Sequence, residues 1–372
     1  MSRHLAIDDT GSTPPQDAAP HPPRDRKGWD GKLRVDRKAT ITNPGALSGT
    51  EDSDEDAPPV EQIDADEDLL NEYPSDTDEI DLVHCRVASI ASLRLERFRQ
   101  VERLCLRQNS IQQIEGLAHL GSTLKDLDLY DNLVSRIEGL DELVNLGSLD
   151  FSFNKIKRIE NVNHLKDLRD IYFVQNKVAK IEGLDGLVKL RNLELAANRI
   201  RTIENLDSLT ALEELWLGKN KIVELTNLSA LSNLKILSIQ SNRLTAIQGL
   251  GSLVNLEELY VSHNALTSLS GIEVNTGLRV LDVSNNHISE LTELGPLTNL
   301  EEFWASDNEV ASFGEVEKAL QDKPDLRTVY FEGNPLQRQN EVTYRNKVRL
   351  ALPQVIQIDA SKCSNLYMVR PY

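Results

Sequence analysis

The stretch LRNLELAANRI, Leu190–Ile200, is one copy of the pattern L-x-x-L-x-L-x-x-N-x-I, which recurs on both sides of it. Its asparagine, Asn198, shares a register with Asn132, Asn154, Asn176, Asn220, Asn242, Asn264, Asn286 and Asn308 at a constant step of 22 residues. Asn109 joins at a step of 23 and Asn334 at a step of 26. Within a copy, Leu193 and Leu195 alternate along a short strand and turn inward, leaving Arg191, Asn192, Glu194 and Ala196 outside it. The asparagine follows where that strand must turn, and its amide can satisfy backbone groups that a buried turn leaves unpaired. Ile200 with Ile203, then Leu206 with Leu209, line the other side of the same narrow core.

One copy cannot bury such a face alone, so the copies must stack, and a period in the twenties with this consensus is the leucine-rich repeat. The predicted fold is an α/β solenoid, a horseshoe of 22-residue repeats with a parallel concave sheet. A unit of this length is too short for a strand, a full helix and two turns, so the convex side is expected to hold short 3₁₀ or irregular segments. The glycines of the recurring IEGL, such as Gly116, Gly139 and Gly183, read as turn residues.

The array divides the chain into three parts. Residues 1–79 read as a disordered acidic tail: from Glu51 to Asp81 there are fifteen Asp or Glu and no Lys or Arg, too little apolar surface to offset ordering entropy. Ser53, followed by Asp54, Glu55 and Asp56, is a candidate acid-directed phosphorylation site, against the plainer reading of a solvated tail. Lys32–Thr40 is the basic island of that tail, a weak import or docking signal at most. Residues 80–336 hold eleven clear repeats and a degenerate N-terminal one, Ile80–Ile90, with Cys85 at the ladder position. Residues 337–372 read as a C-terminal cap and tail. There Val348 and Leu352 share a helical face, Pro353 stops the helix, and Val355, Ile356 and Ile358 supply a closing edge. The longer step before Asn334 hides Phe313–Leu326, spaced as a short helix ending near Pro324.

Several function classes are disfavoured. No apolar run approaches a membrane span and the first residues lack an apolar signal core, so the chain is expected to be soluble and intracellular, without membrane partners. Cys85, Cys105 and Cys363 lack metal-ligand spacing and read as free thiols, so no metal or other cofactor is expected. The formal net charge of −18 speaks against nucleic acid on the sheet. His84, His119, His164, His263 and His287 share no register that would set one beside a nucleophile, and no Gly-rich phosphate loop occurs, so no catalytic residues are assigned.

The informative position lies between the two inward apolar residues of each strand. It reads Cys105, Asp128, Asp150, Tyr172, Glu194, Trp216, Ser238, Tyr260, Asp282, Trp304 and Tyr330, with Asp126, Asp170, Glu214, Glu258 and Glu302 two residues earlier on the same face. Aromatics stacked sideways would stabilise a sheet. Aromatics spaced among carboxylates also make a binding surface, because Trp and Tyr dominate interface energetics. Eleven strands at about 4.8 Å give an arc of roughly 50 Å, enough for a standard protein interface. The next column outward mixes Lys125, Arg169, Arg191, Lys235, Arg279 and Arg327 with Glu102, Glu213, Glu257 and Glu301, so the partner is expected to be basic near its middle rather than uniformly charged.

The runs VERLCLRQNSIQQIEGL, LKDLDLYDNLVSRIEGL, LSIQSNRLTAIQGL and LEEFWASDNEV, and the closing VYFEGNPLQRQNEVTYRNKVRLALPQVIQIDA, resemble the protein phosphatase 1 regulatory subunit 7 family, the leucine-rich-repeat regulatory subunits of type-1 serine/threonine protein phosphatase. The resemblance covers roughly Ile80 to Ala360. It implies a non-catalytic subunit that binds the phosphatase catalytic subunit through the concave face, with contacts at Asp150, Tyr172, Glu194, Trp216, Glu302, Trp304 and Tyr330. Tyr172 and Trp216 depart from the Phe common in the family. The repeat register adds Tyr260 and Asp282. Also implied are a further inhibitor protein in the assembly, location in nucleus and cytoplasm, and a role in mitotic chromosome segregation. RVDR, Arg34–Arg37, ends in Arg where the docking peptide of other phosphatase partners needs an aromatic, in keeping with binding by the repeats. The alternatives are a leucine-rich-repeat adaptor in a ribonucleoprotein and a scaffold in a cytoskeletal assembly.

Overall fold

A computed structural model describes residues 67–363. Its strands are three residues long through the array: β1 (Glu79–Asp81), β2 (Arg103–Cys105), β3 (Asp126–Asp128), β4 (Ser148–Asp150), β5 (Asp170–Tyr172), β6 (Asn192–Glu194), β7 (Glu214–Trp216), β8 (Ile236–Ser238), β9 (Glu258–Tyr260), β10 (Val280–Asp282), β11 (Glu302–Trp304) and β12 (Thr328–Tyr330). They form one parallel sheet in sequence order, every residue facing its repeat equivalent, as Leu193 faces Leu215. The convex side carries turns and short 3₁₀ segments such as Ala118–Leu120 and Thr292–Leu294, as the repeat length required.

The asparagine register is a hydrogen-bond ladder. Asn198 Nδ2 donates to Phe173 O at 2.7 Å and Leu195 O at 3.1 Å, and its Oδ1 accepts from Val178 N–H at 2.9 Å. The same bonds recur from Asn109 to Asn334, so each rung ties two repeats together. A second register solves the IEGL turn in two ways. At Gly139, φ is +71° and a Cβ would stand 2.1 Å from Ile114 O. Asn161, Asn205 and Asn227 occupy the same register at φ of +56°, +58° and +57° and donate Nδ2 to the equivalent carbonyls. The left-handed conformation is thus kept either by removing the side chain or by bonding it to the neighbour.

Both ends of the core are closed. The folded part starts earlier than the boundary at residue 79 drawn from the sequence. The acidic run contains Leu69, Leu70 and Tyr73; Leu70 is 1% exposed, Arg97 Nη2 donates to its carbonyl, and Tyr73 Oη donates to Asp81 O at 2.8 Å. These apolar residues cover the first repeat, which composition averaged over an acidic segment concealed. The earlier tail, including Ser53 and Lys32–Thr40, lies outside the described residues.

At the C-terminal end, α1 (Phe313–Leu320) fills the long repeat, α2 (Pro335–Arg338) follows Asn334, and α3 (Tyr344–Ala351) buries Val348 and Tyr344. β13 (Gln357–Ile358) pairs parallel to β12, and β14 (Ser361–Lys362) returns antiparallel, ending the sheet in a hairpin. Val355 and Ile358 are buried as expected, but Ile356 is 55% exposed. Ile356 precedes β13, outside the paired strand. Asp359 stands in for a next strand's carbonyl: its Oδ1 accepts from Phe331 N–H at 2.9 Å, the position that in earlier repeats bonds the following strand as Phe173 N–H does Glu194 O, and from Glu332 N–H at 3.1 Å, and Tyr344 Oη donates to the same carboxylate.

Candidate protein-binding face

Residues i and i+2 of a strand share a face, so E-L-W in β7, E-L-Y in β9 and E-F-W in β11 each set a carboxylate beside an aromatic on the concave sheet. In all three the aromatic donates its polar hydrogen to that carboxylate: Trp216 Nε1 to Glu214 at 3.4 Å, Tyr260 Oη to Glu258 at 2.7 Å, Trp304 Nε1 to Glu302 at 3.2 Å. Tyr330 Oη instead accepts from Gln357 Nε2 at 2.8 Å, joining the row to the cap.

The aromatic repeats alternate with small or short ones, Ser238 and Asp282. That spacing lets rings from strands two apart meet over the intervening residue. Trp216 and Tyr260 stack at 6.4 Å and Tyr260 and Trp304 meet at 6.2 Å, while Trp304 and Tyr330, register partners on the adjacent strands β11 and β12, meet edge-on at 5.8 Å. Beneath the first pair Ser238 is buried.

This corrects the picture of outward-standing anchors. Trp216 is 4% exposed, Tyr260 3%, Glu194 5% and Asp282 8%, so four of the nine candidate residues are covered by their neighbours. Parallel strands less than 5 Å apart leave no room for large side chains to stand separately, and they lie flat along the sheet. Asp150, Tyr172, Glu302, Trp304 and Tyr330 remain partly exposed. The sideways stacking and the aromatic surface are therefore the same structure: the row stabilises the sheet and leaves one continuous edge of rings at Trp304 and Tyr330.

The N-terminal half of the sheet is a carboxylate field. Burial raises the pKa of Asp128 to about 6, helped by the charge of Asp150. Burial raises Glu194 further, to about 8, with Asp150 and Glu214 adding repulsion. Asp126, Asp150, Asp170 and Asp282 are raised for the same leading reason. Burial also pushes the Cys105 thiol up to about 12, so it is no nucleophile at neutral pH. Arg107, which the sequence reading passed over, lies at the edge of this field. Its guanidinium is 2.9 Å from Asp128 and 3.6 Å from Asp150, and it stands over the Tyr130 ring. The signal was available two positions before the ladder asparagine, where Arg107 and Tyr130 align.

The mixed outer column resolves into ion pairs between strands: Lys125 with Glu102, Arg191 and Lys235 with Glu213, Arg279 with Glu257 and Glu301. Lys125, Arg191, Lys235 and Arg279 are thereby compensated within the column, and the unbalanced negative charge of the face is the inner carboxylate column. Among the described residues no group of three metal-binding side chains is present, and no helix is long and apolar enough to cross a membrane.

Residues 188–232, 232–274 and 254–297 match the family described as Leucine Rich repeats (2 copies). The chain is 57% identical over 91 residues to protein phosphatase 1 regulatory subunit SDS22 of Schizosaccharomyces pombe, covering 24% of this chain and 26% of that protein. It is 47% identical over 107 residues to the Saccharomyces cerevisiae protein of the same name, covering 28% of this chain and 31% of that one. The aligned stretches thus span less than a third of either relative. Among solved structures, an internalin from Listeria monocytogenes superposes with a TM-score of 0.61 at 22% identity, over 77% of this chain and 87% of that one, a likeness of fold alone.

Proposed function

We propose that this chain is a non-catalytic regulatory subunit that holds the catalytic subunit of type-1 serine/threonine protein phosphatase against its concave sheet. Its local identity to proteins named as regulatory subunits of that phosphatase supports the reading. The observation that carries it to a surface is the row Trp216, Tyr260, Trp304 and Tyr330 beside the carboxylates of Asp150, Glu194 and Glu302. Ring edges at Trp304 and Tyr330 would fill apolar pockets of the partner, while the inner carboxylates would meet its Lys and Arg side chains. Tyr172 extends the contact toward Asp150. Trp216 and Tyr260, themselves buried, hold their neighbours in place.

Residence in nucleus and cytoplasm, a role in mitotic chromosome segregation, and a further inhibitor protein in the assembly belong to the same reading and rest on the family resemblance. The test is calorimetric titration of the whole chain with the catalytic subunit, metal-loaded and metal-free, beside Trp304→Ala and Glu302→Ala, with circular dichroism confirming that both variants fold. Each substitution is expected to weaken binding at least tenfold, about 1.4 kcal/mol. Absence of binding by the unaltered chain in both metal states would overturn the proposal and leave the adaptor reading in front.

A further inference from the structure

On a chain of formal net charge −18, one surface is strongly basic. The residue after the ladder asparagine reads Lys155, Lys177, Arg199, Lys221 and Arg243 in five consecutive repeats. Before and after this run the position holds Leu133 and Ala265, so the column is a bounded feature of the middle of the array. Its backbone is stacked in register: Lys177, Arg199, Lys221 and Arg243 each donate N–H to the preceding repeat, to Ile156, Val178, Ile200 and Ile222, at 2.8–2.9 Å. The five cations therefore rise along one rim of the solenoid, beyond the C-terminal ends of the strands, at about 4.8 Å intervals and over roughly 20 Å.

This rim is separate from the concave carboxylates. Among the described residues, Lys155, Arg199, Lys221 and Arg243 have no carboxylate at ion-pair distance, and Glu182 on the convex side is already taken by Arg158 and Lys180. The matching charge lies in the same chain. Glu51–Asp66, outside the described residues, holds eight Asp or Glu and no Lys or Arg, and is continuous with the 3₁₀ turn Glu67–Leu70 on the first repeat. Sixteen residues reach about 50 Å when extended. The column begins three strands along, about 15 Å from the first repeat.

We infer that the basic rim is a docking surface for the chain's own acidic segment Glu51–Asp66. Exposed ion pairs are individually weak, but a line of five cations facing a line of carboxylates sums their attraction, and the short covalent connection supplies a high effective concentration. A docked segment would mask the rim from other acidic chains. Phosphorylation of Ser53 would add charge to the docked segment and tighten the contact. The inference stands apart from the phosphatase reading, since the rim and the concave sheet share no residue.

The test is zero-length carbodiimide crosslinking of the whole chain, which joins a lysine amine to a carboxylate only in direct contact, read by peptide mass spectrometry. The expected result is linkage of carboxylates in 51–66 to Lys155, Lys177 and Lys221 at low salt, falling several-fold in 0.5 M salt, where the screening length drops to a few ångströms. The double variant Arg199→Gln, Arg243→Gln keeps all three reporter lysines. It should lower the same links several-fold while circular dichroism and the carboxylate links of Lys125 and Lys235 stay unchanged. Linkage of 51–66 to other lysines at equal yield, or links indifferent to the double variant, would overturn the inference. So would protection of the rim lysines by a single-stranded oligonucleotide with the segment unlinked, which would assign the rim to nucleic acid.

Discussion

Replacing Asn198 by Ala removes one rung of the ladder and little else. In the native chain its amide satisfies Val178 N–H at 2.9 Å, Phe173 O at 2.7 Å and Leu195 O at 3.1 Å, and Asn198 itself is 7% exposed. The substitution therefore orphans the buried Val178 N–H, while Phe173 O keeps the amide of Asn176 and Leu195 O keeps that of Asn220. One unpaired buried group costs about 1–3 kcal/mol, and that is the expected destabilisation. The control is Asn255→Ala. Asn255 also bonds the previous repeat, Nδ2 to Ser232 O at 2.8 Å, but at an exposed edge where water replaces it. Its cost should stay under about 1 kcal/mol, the net worth of an ordinary hydrogen bond. Urea unfolding followed by circular dichroism measures both, and hydrogen exchange should show Val178 N–H losing protection in the first variant alone. Equal destabilisation by the two substitutions would refute the argument, because burial would then not be what gives the ladder its energy.

Three further outcomes follow from the same geometry. Gly139→Ala should cost about 1–3 kcal/mol through strain at positive φ and the close approach to Ile114 O, whereas Gly139→Asn should be milder because Asn161 and Asn205 already occupy that register; thermal melts rank them. Asp359→Ala removes the acceptor for Phe331 and Glu332 N–H and for Tyr344 Oη, so hydrogen exchange should accelerate in the last two repeats while the centre of the array is unaffected. Glu194 titrates near 8 in the folded chain against an ordinary 4.5, so between those values the folded state holds the extra proton and the free chain loses stability as pH rises. A basic partner favours the carboxylate, so the proposed phosphatase complex should tighten from pH 6 to 8 with proton release. Calorimetry in buffers of different ionisation heat checks this, and an affinity flat with pH would refute it.

Much of this molecule was legible in its sequence because a repeat states the same constraint many times. The ladder, the inward leucines, the parallel register and the N-terminal repeat with Cys85 all depend on spacing, and spacing is what a sequence records. The packed turn at Leu70 and Tyr73 was hidden because three apolar residues are a weak signal inside a run of carboxylates. Only the tertiary structure decided what the concave column is. Sequence places Trp216, Tyr260 and Trp304 on one face, but whether rings stand apart or close over Ser238 and Asp282 depends on the gap between strands two repeats apart and on side-chain length. The same holds for the charges. Lys125, Arg191 and Arg279 looked like contacts for a partner until the strands brought Glu102, Glu213 and Glu301 within ion-pair distance, and the raised pKa of Glu194 comes from burial that no local pattern encodes. Periodicity determined which residues share a face; the close spacing of the stacked strands determined which of them water can still reach.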